Sequence, residues 1–235
     1  MATFVLLHGA WHGGWCWCRV ASRLRGNGHR VFSPTFTGVS DRAHLLSPSV
    51  GLSTNVDDVV RLLDAEGLTE VILVGHSYAG MVVSGVADMR PERLQLRVYL
   101  DAFVPEDGEA AIDLLPDAVA GHYRKSVEGP GFGWLIPPRS LEVLGVTDPG
   151  DLEWISPRLT PQPWATYAEP AKLSGAADRV SGTYIECTDW MRVFKSQADR
   201  GRRRGWNMHE IATGHEAMVT APNELSTLLH EMSPP

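Results

Sequence analysis

The sequence predicts an α/β protein: a mostly parallel sheet of about six strands, flanked by helices and broken by one long insertion. Three observations carry this. Short apolar runs bounded by turn residues alternate with stretches of helical period. One of these runs, Glu70-Val71-Ile72-Leu73-Val74, passes through Gly75-His76-Ser77-Tyr78-Ala79-Gly80 directly into the helical stretch Met81-Val82-Val83-Ser84-Gly85. The alternation then lapses between residues 105 and 178. The expected organisation is therefore a core formed by 1–104 and 179–235, with 105–178 inserted as a lid over the strand ends.

Phe4-Val5-Leu6-Leu7 reads as the first strand and ends in the glycine-rich stretch His8 to Gly14. A helix from Cys16 to Arg25 follows, closed by Gly26-Asn27-Gly28, and then a strand at Arg30–Ser33. Ser53 opens a helix whose Val56, Val59, Val60 and Leu63 share one face, and Gly67 stops it. The strand at 70–75, its helix through Met89 and a strand at Leu96–Asp101 come next. Beyond the insertion, Gly182–Cys187 is a strand, about 192–203 a helix, Asn207–Ile211 the last strand and Pro222–Met232 the last helix. The insertion is rich in Pro and Gly and shows no strand. Its Trp134, Trp154 and Trp164 are expected as pocket walls. The Gly129-Pro130-Gly131-Phe132-Gly133 stretch follows no strand and does not read as a nucleotide loop.

Composition narrows the function classes. The 235 residues suffice for one substantial core, and a hydrophobic share of 43% with 21% charged is that of a globular domain. A net charge of −7 argues against nucleic acid or an anionic membrane as partner. The basic run Arg200-Gly201-Arg202-Arg203-Arg204 reads as a solvated helix end. Three cysteines, two of them as Cys16-Trp17-Cys18, fit neither a disulfide framework nor a zinc site and are expected as packed, reduced thiols. No basic leader region precedes the first strand and no apolar run approaches spanning length, so a cytoplasmic location is expected. The expected partner is a small-molecule substrate, and the sequence leaves room for a homodimer.

In a parallel sheet, functional groups gather beyond the carboxyl ends of the strands. A strand, a tight turn of small residues and a helix push one hydroxyl, that of Ser77, out of such an end. Ala79 holds a position usually given to glycine, and Gly80 follows it. A serine hydroxyl needs a base, and the base needs an orienting acid. His215, in Gly214-His215-Glu216 after the last strand, is the candidate base. Asp101 and Asp189 both follow strand ends, and either could be the acid. The N–H groups of Ala10 and Tyr78 are placed to receive an oxyanion. His8 and His12 lie on a strand end and loop rather than a helix, and no metal-ligand set or cofactor site is apparent.

These residues resemble the α/β-hydrolase superfamily over most of the chain. Phe4-Val5-Leu6-Leu7-His8-Gly9-Ala10-Trp11-His12-Gly13-Gly14-Trp15 is similar to the opening of plant methylesterases and hydroxynitrile lyases and of bacterial carboxylesterases such as pyrethroid hydrolases. Gly28–Phe32, the serine turn, Tyr99–Pro105 and Gly214–Met218 share that similarity. The resemblance implies a cofactor-independent Ser/His/acid site under a cap, with Ala10 and Tyr78 forming the oxyanion hole. In the plant group the acid lies three residues beyond the Cys-Thr threonine, where this chain has Met191. Asp101 occupies the place that some haloalkane dehalogenases use, and is the favoured acid, with Asp189 as the alternative. Lyases of the group carry threonine and lysine where this chain has Gly9 and Glu216, and a glutamate there would repel departing cyanide. Ester hydrolysis is the expected activity. The alternatives are a lyase, cyclisation or decarboxylation step on the same site, or a non-catalytic ligand receptor.

Overall fold

Parallel register brings every strand of the main sheet to one edge with its carboxyl end. A computed structural model gives this fold, and the structure describes residues 1–233. The order along the chain is β1 (Thr3–Leu7), α1 (Cys18–Gly26), β2 (Arg30–Phe32), α2 (Leu52–Ala65), β3 (Val71–His76), α3 (Ala79–Met89) and β4 (Leu94–Leu100). After the insertion come β7 (Ser181–Cys187), α7 (Lys195–Arg203), β8 (Asn207–Ile211), α8 (Ala217–Thr220) and α9 (Pro222–Glu231). The six strands of this sheet lie in the order β2-β1-β3-β4-β7-β8, all parallel. β3 is buried along its whole length, as a strand covered on both faces by helices must be. Val56, Val59, Val60 and Leu63 of α2 are buried, the face that the sequence marks as apolar.

Register fixes the site. Leu7 pairs with Gly75, His76 with Leu100, and Leu100 with Ile185. The residues that leave β1, β3 and β4 therefore emerge side by side at the middle of the sheet.

The insertion is more regular than its sequence suggests. It contains α4 (Asp117–Glu128), α5 (Pro149–Ile155) and α6 (Ala165–Ala168), and an antiparallel pair, β5 (Leu135–Ile136) with β6 (Gln162–Pro163). Strands of two residues carry no readable period, and Pro163 argues against a strand. Gly131 closes the turn after α4, where a Cβ would lie 2.0 Å from the Leu135 carbonyl. Around the basic run, Arg200 pairs with Glu109, Arg202 with Asp199 and Arg204 with Glu106. All three cysteines are free, Cys16 and Cys187 buried but Cys18 exposed, so only two pack as apolar residues.

Candidate active site

Ser77 sits at φ +55°, in the left-handed region that side chains other than glycine rarely adopt. The turn between β3 and α3 leaves no alternative. A Cβ on Gly75 would lie 2.5 Å from Val83 Cγ2, and one on Gly80 would lie 2.1 Å from the Phe103 carbonyl oxygen. Glycine is thus required at 75 and 80, whereas Ala79 fits. The turn is latched to the end of β4: Ser77 N–H donates to the Leu100 carbonyl (3.2 Å), and Phe103 N–H donates to the Ser77 carbonyl (3.1 Å). Behind the serine stands the N-terminus of α3, whose partial positive charge favours an anion at this point.

Asp101 leaves β4 one step from this turn, also with a left-handed backbone, φ +43°. Its N–H donates to the Ile185 carbonyl (2.8 Å), and its Oδ2 lies 2.7 Å from His215 Nδ1. Burial pushes the Asp101 carboxyl above the usual carboxylate range, while the hydrogen bond from His215 opposes that shift. His215 is gripped on all sides. Its N–H donates to the Leu144 carbonyl (2.8 Å), its own carbonyl receives His76 Nε2–H (3.0 Å), and its ring lies parallel to Phe194 and against Trp190. Gly214 precedes it because a Cβ there would lie 2.5 Å from the Gly145 carbonyl. With Nδ1–H given to Asp101, Nε2 of the neutral ring is an acceptor, and Ser77 and His215 line one cavity.

Asp189 is not brought to this cluster. Its residue is exposed and its N–H donates to the Thr213 carbonyl (3.0 Å), so it ties the loop that leaves β7 to the loop that leaves β8. The neighbouring Trp190 covers the imidazole instead.

Tyr78 follows the serine and Gly9 packs against it, where an added Cβ would lie 3.1 Å from Ser77 Cβ; among the described residues neither the Ala10 nor the Tyr78 backbone N–H has an acceptor. The Gly9–Ala10 peptide is set by a histidine whose role the sequence did not show. His8 Nδ1–H donates to the Gly9 carbonyl (2.7 Å), and His8 Nε2 accepts from Phe36 N–H (3.1 Å). In a trans peptide, holding the Gly9 carbonyl on one side aims the Ala10 N–H to the other. Burial pushes His8 down to about 3, so it stays in the neutral form that this pair of bonds requires. The next peptide is held as well. His12 Nδ1–H donates to the Ala10 carbonyl (2.8 Å), while Trp11 Nε1–H donates to Ile136 and Trp11 N–H to Gln162 in the insertion. A His-Gly pair directly after a strand was the available signal.

The cavity is narrow and is walled largely by aromatic and aliphatic groups, among them Trp11, Leu115, Tyr123, Tyr167, Trp190 and Phe194. The tryptophans expected there are elsewhere. Trp154 packs edge-on against Trp15 under Arg19, and Trp134 and Trp164 join through their backbones beside β5 and β6. Glu216 is also differently placed from the expectation. Its buried carboxylate does not line the cavity but turns behind it, with Oε2 3.6 Å from His12 Nε2. It therefore cannot act on a leaving group by direct repulsion. Among the described residues, His76, His215 and Glu216 carry ligand-type atoms within 4.8 Å of one another.

A serine on a strained turn, an acid-held histidine and two unpaired amides stand at the carboxyl edge of a parallel sheet, and the chain belongs to the alpha/beta hydrolase family, whose model matches residues 4–227. It is a carboxylesterase-like enzyme of that family. It is 42% identical to a carbendazim hydrolyzing esterase of a Nocardioides species over 97% of this chain and 98% of the relative. Methylesterase 10 of Arabidopsis thaliana is 26% identical over 98% of this chain and 91% of the relative. Among solved structures, an extracellular alpha/beta-hydrolase from a Paenibacillus species superposes with a TM-score of 0.87 at 22% identity, covering 100% of each chain. No described helix is long and apolar enough to cross a membrane.

Proposed function

We propose that the protein is a serine carboxylesterase that cleaves esters of small to medium, largely apolar substrates through an acyl-enzyme. The observation that carries this reading is the buried pair of Asp101 and His215, 2.7 Å apart, opening on the same cavity as a serine held at φ +55°. His215 Nε2 takes the proton as Ser77 Oγ bonds to the ester carbonyl carbon. The carbonyl oxygen becomes an oxyanion and accepts from Ala10 N–H and Tyr78 N–H. Collapse breaks the ester C–O bond, and His215 returns its proton to the departing alkoxide. Water then attacks the acyl carbon as His215 accepts its proton, and collapse breaks the bond to Ser77 Oγ, which takes that proton back from His215 as the acid is released. Asp101 holds the imidazole tautomer and stabilises the imidazolium in both steps.

Residues 105–178 act in this reading as the cap that selects the substrate, since they supply Leu115, Tyr123 and Tyr167 to the cavity. A lyase reading draws no support from the site. Where lyases of the group have threonine, a Cβ on Gly9 would lie 2.8 Å from His76 Nδ1. On the likeness to the named relatives, carbendazim and methyl esters are the first natural candidates to try. The general test is hydrolysis of p-nitrophenyl esters from acetate to octanoate, with covalent labelling by a fluorophosphonate. Turnover and labelling by the wild type, both lost in Ser77→Ala, are expected. A folded wild type that neither turns over any ester nor takes the label would contradict the proposal.

A further inference from the structure

One cation stands in the wall of an otherwise apolar cavity. Arg139, in the insertion, is half-buried and lines the same cavity as Ser77 and His215. Its guanidinium lies 5.7 Å from the centre of the Tyr123 ring. Other arginines at partly or fully buried positions meet a carboxylate: Arg19 has Asp151, Arg97 has Asp178, and Arg200 has Glu109. Among the described residues no carboxylate forms an ion pair with Arg139, although the chain carries seven more acidic than basic side chains. Tyr123 does not neutralise it either, because burial pushes that phenol up to about 12 and it remains un-ionised. Tyr123 meets the guanidinium with its ring and its phenol oxygen, and among the described residues no acid pairs with the forked N–H donors.

A cation withdrawn from water into an apolar wall is stabilised most when an anion reaches it there, and a guanidinium fork matches a carboxylate in two parallel hydrogen bonds. We propose that Arg139 is a substrate-binding residue that reads a carboxylate on the substrate, so that the preferred substrates are monoesters of aromatic or similarly flat dicarboxylic acids. The free carboxylate sits at Arg139, the ring lies among Tyr123, Tyr167 and Phe194, and the ester carbonyl faces Ser77. This rests on the esterase reading for the fate of the bound molecule, but not for the binding itself.

Monomethyl terephthalate and methyl 4-methylbenzoate have nearly the same shape and differ in charge. The test is the ratio of kcat/KM for the charged to the neutral ester in wild type, Arg139→Gln and Arg139→Lys. In parallel, the ratio of their dissociation constants is measured by calorimetry in the Ser77→Ala background. Wild type is expected to favour the charged ester. Arg139→Gln should lower that ratio by about 10- to 100-fold, the range of a charge-assisted hydrogen bond pair, and Arg139→Lys should retain part of it. In wild type alone, raising the salt should weaken binding of the charged ester more than of the neutral one. Ratios unchanged within about twofold in both variants, with salt acting equally on the two esters, would overturn the proposal. If neither ester is hydrolysed yet the binding ratio still depends on Arg139, the subsite stands and the esterase reading falls.

Discussion

The two walls of the cavity are built by different rules. On the sheet side, Ser77, Asp101 and the Ala10 peptide are placed by strand register and by hydrogen bonds at the strand ends: Ser77 to Leu100, Asp101 to Ile185, His8 to Gly9. On the insertion side, Tyr123, Tyr167 and Arg139 are placed by packing between segments far apart in sequence. Tyr167 stacks on Tyr78 at 5.5 Å, and Trp11 bridges to Ile136 across 125 residues of chain. In the proposed mechanism the first wall holds the groups that bear the chemistry. The second offers shape and one charge. Changes on the sheet side should therefore act on kcat, and changes on the insertion side on the choice of substrate.

Beside the loss expected of Asp101→Asn, the next largest effect is expected at His8. His8→Asn removes the Nε2 acceptor for Phe36 and the bond that aims the Ala10 amide, and a misdirected oxyanion donor costs about 10²–10³ in kcat. Steady-state kinetics should show that fall with KM changed little. A rise in KM at constant kcat would show that His8 serves binding instead. A smaller effect is expected across the cavity. Leu115→Ala enlarges the apolar wall, and one methylene in such a pocket is worth roughly 10-fold or more in discrimination. The acyl length preferred in the p-nitrophenyl series should lengthen by about one or two carbons. An unmoved optimum would remove Leu115 from the acyl pocket.

The third test concerns pH. Burial lowers His8 to about 3 and holds His76 well below the ordinary histidine value of 6.5. As pH falls below 6.5 the unfolded chain takes up these protons and the folded chain does not, so stability declines with acid. The window for His8 runs from 6.5 down to about 3. Each group contributes at most about 1.4 kcal/mol per pH unit. The raised Asp101 acts in the opposite sense, in and above the carboxylate range, where its folded form holds a proton more readily than the unfolded chain. Urea unfolding at pH 7.5 and 5.5 should show the lower stability at 5.5, with a smaller difference in His8→Asn. Equal midpoints at the two values would mean that the histidines protonate in place.

Most of the sheet side was legible in the sequence because its signals are local. Apolar runs gave the strands, glycines gave the tight turns, and the strand-turn-helix around Ser77 marked the candidate nucleophile. The acid was not legible. Asp101 and Asp189 follow β4 and β7, which are neighbours in the sheet, so chain order and position suit both. What separates them is backbone direction: φ +43° at Asp101 accompanies a carboxylate on His215, whereas the exposed Asp189 only links the loops after β7 and β8 through its backbone. His8 was passed over because its role lies in a tautomer and a bond to the next carbonyl rather than in spacing. The insertion was the least readable, since two-residue strands have no period and its tryptophans pack away from the cavity. Glu216 shows the same limit, because a position in the chain does not say which way a side chain turns.

The most direct measurement compares Asp101→Asn with Asp189→Asn on p-nitrophenyl butyrate. A site in which Asp101 holds His215 for attack by Ser77 requires Asp101→Asn to lose about 10³–10⁴ in kcat while still folding, and Asp189→Asn to stay within about threefold of wild type. The reverse pattern, or two variants of equal activity, would contradict that arrangement.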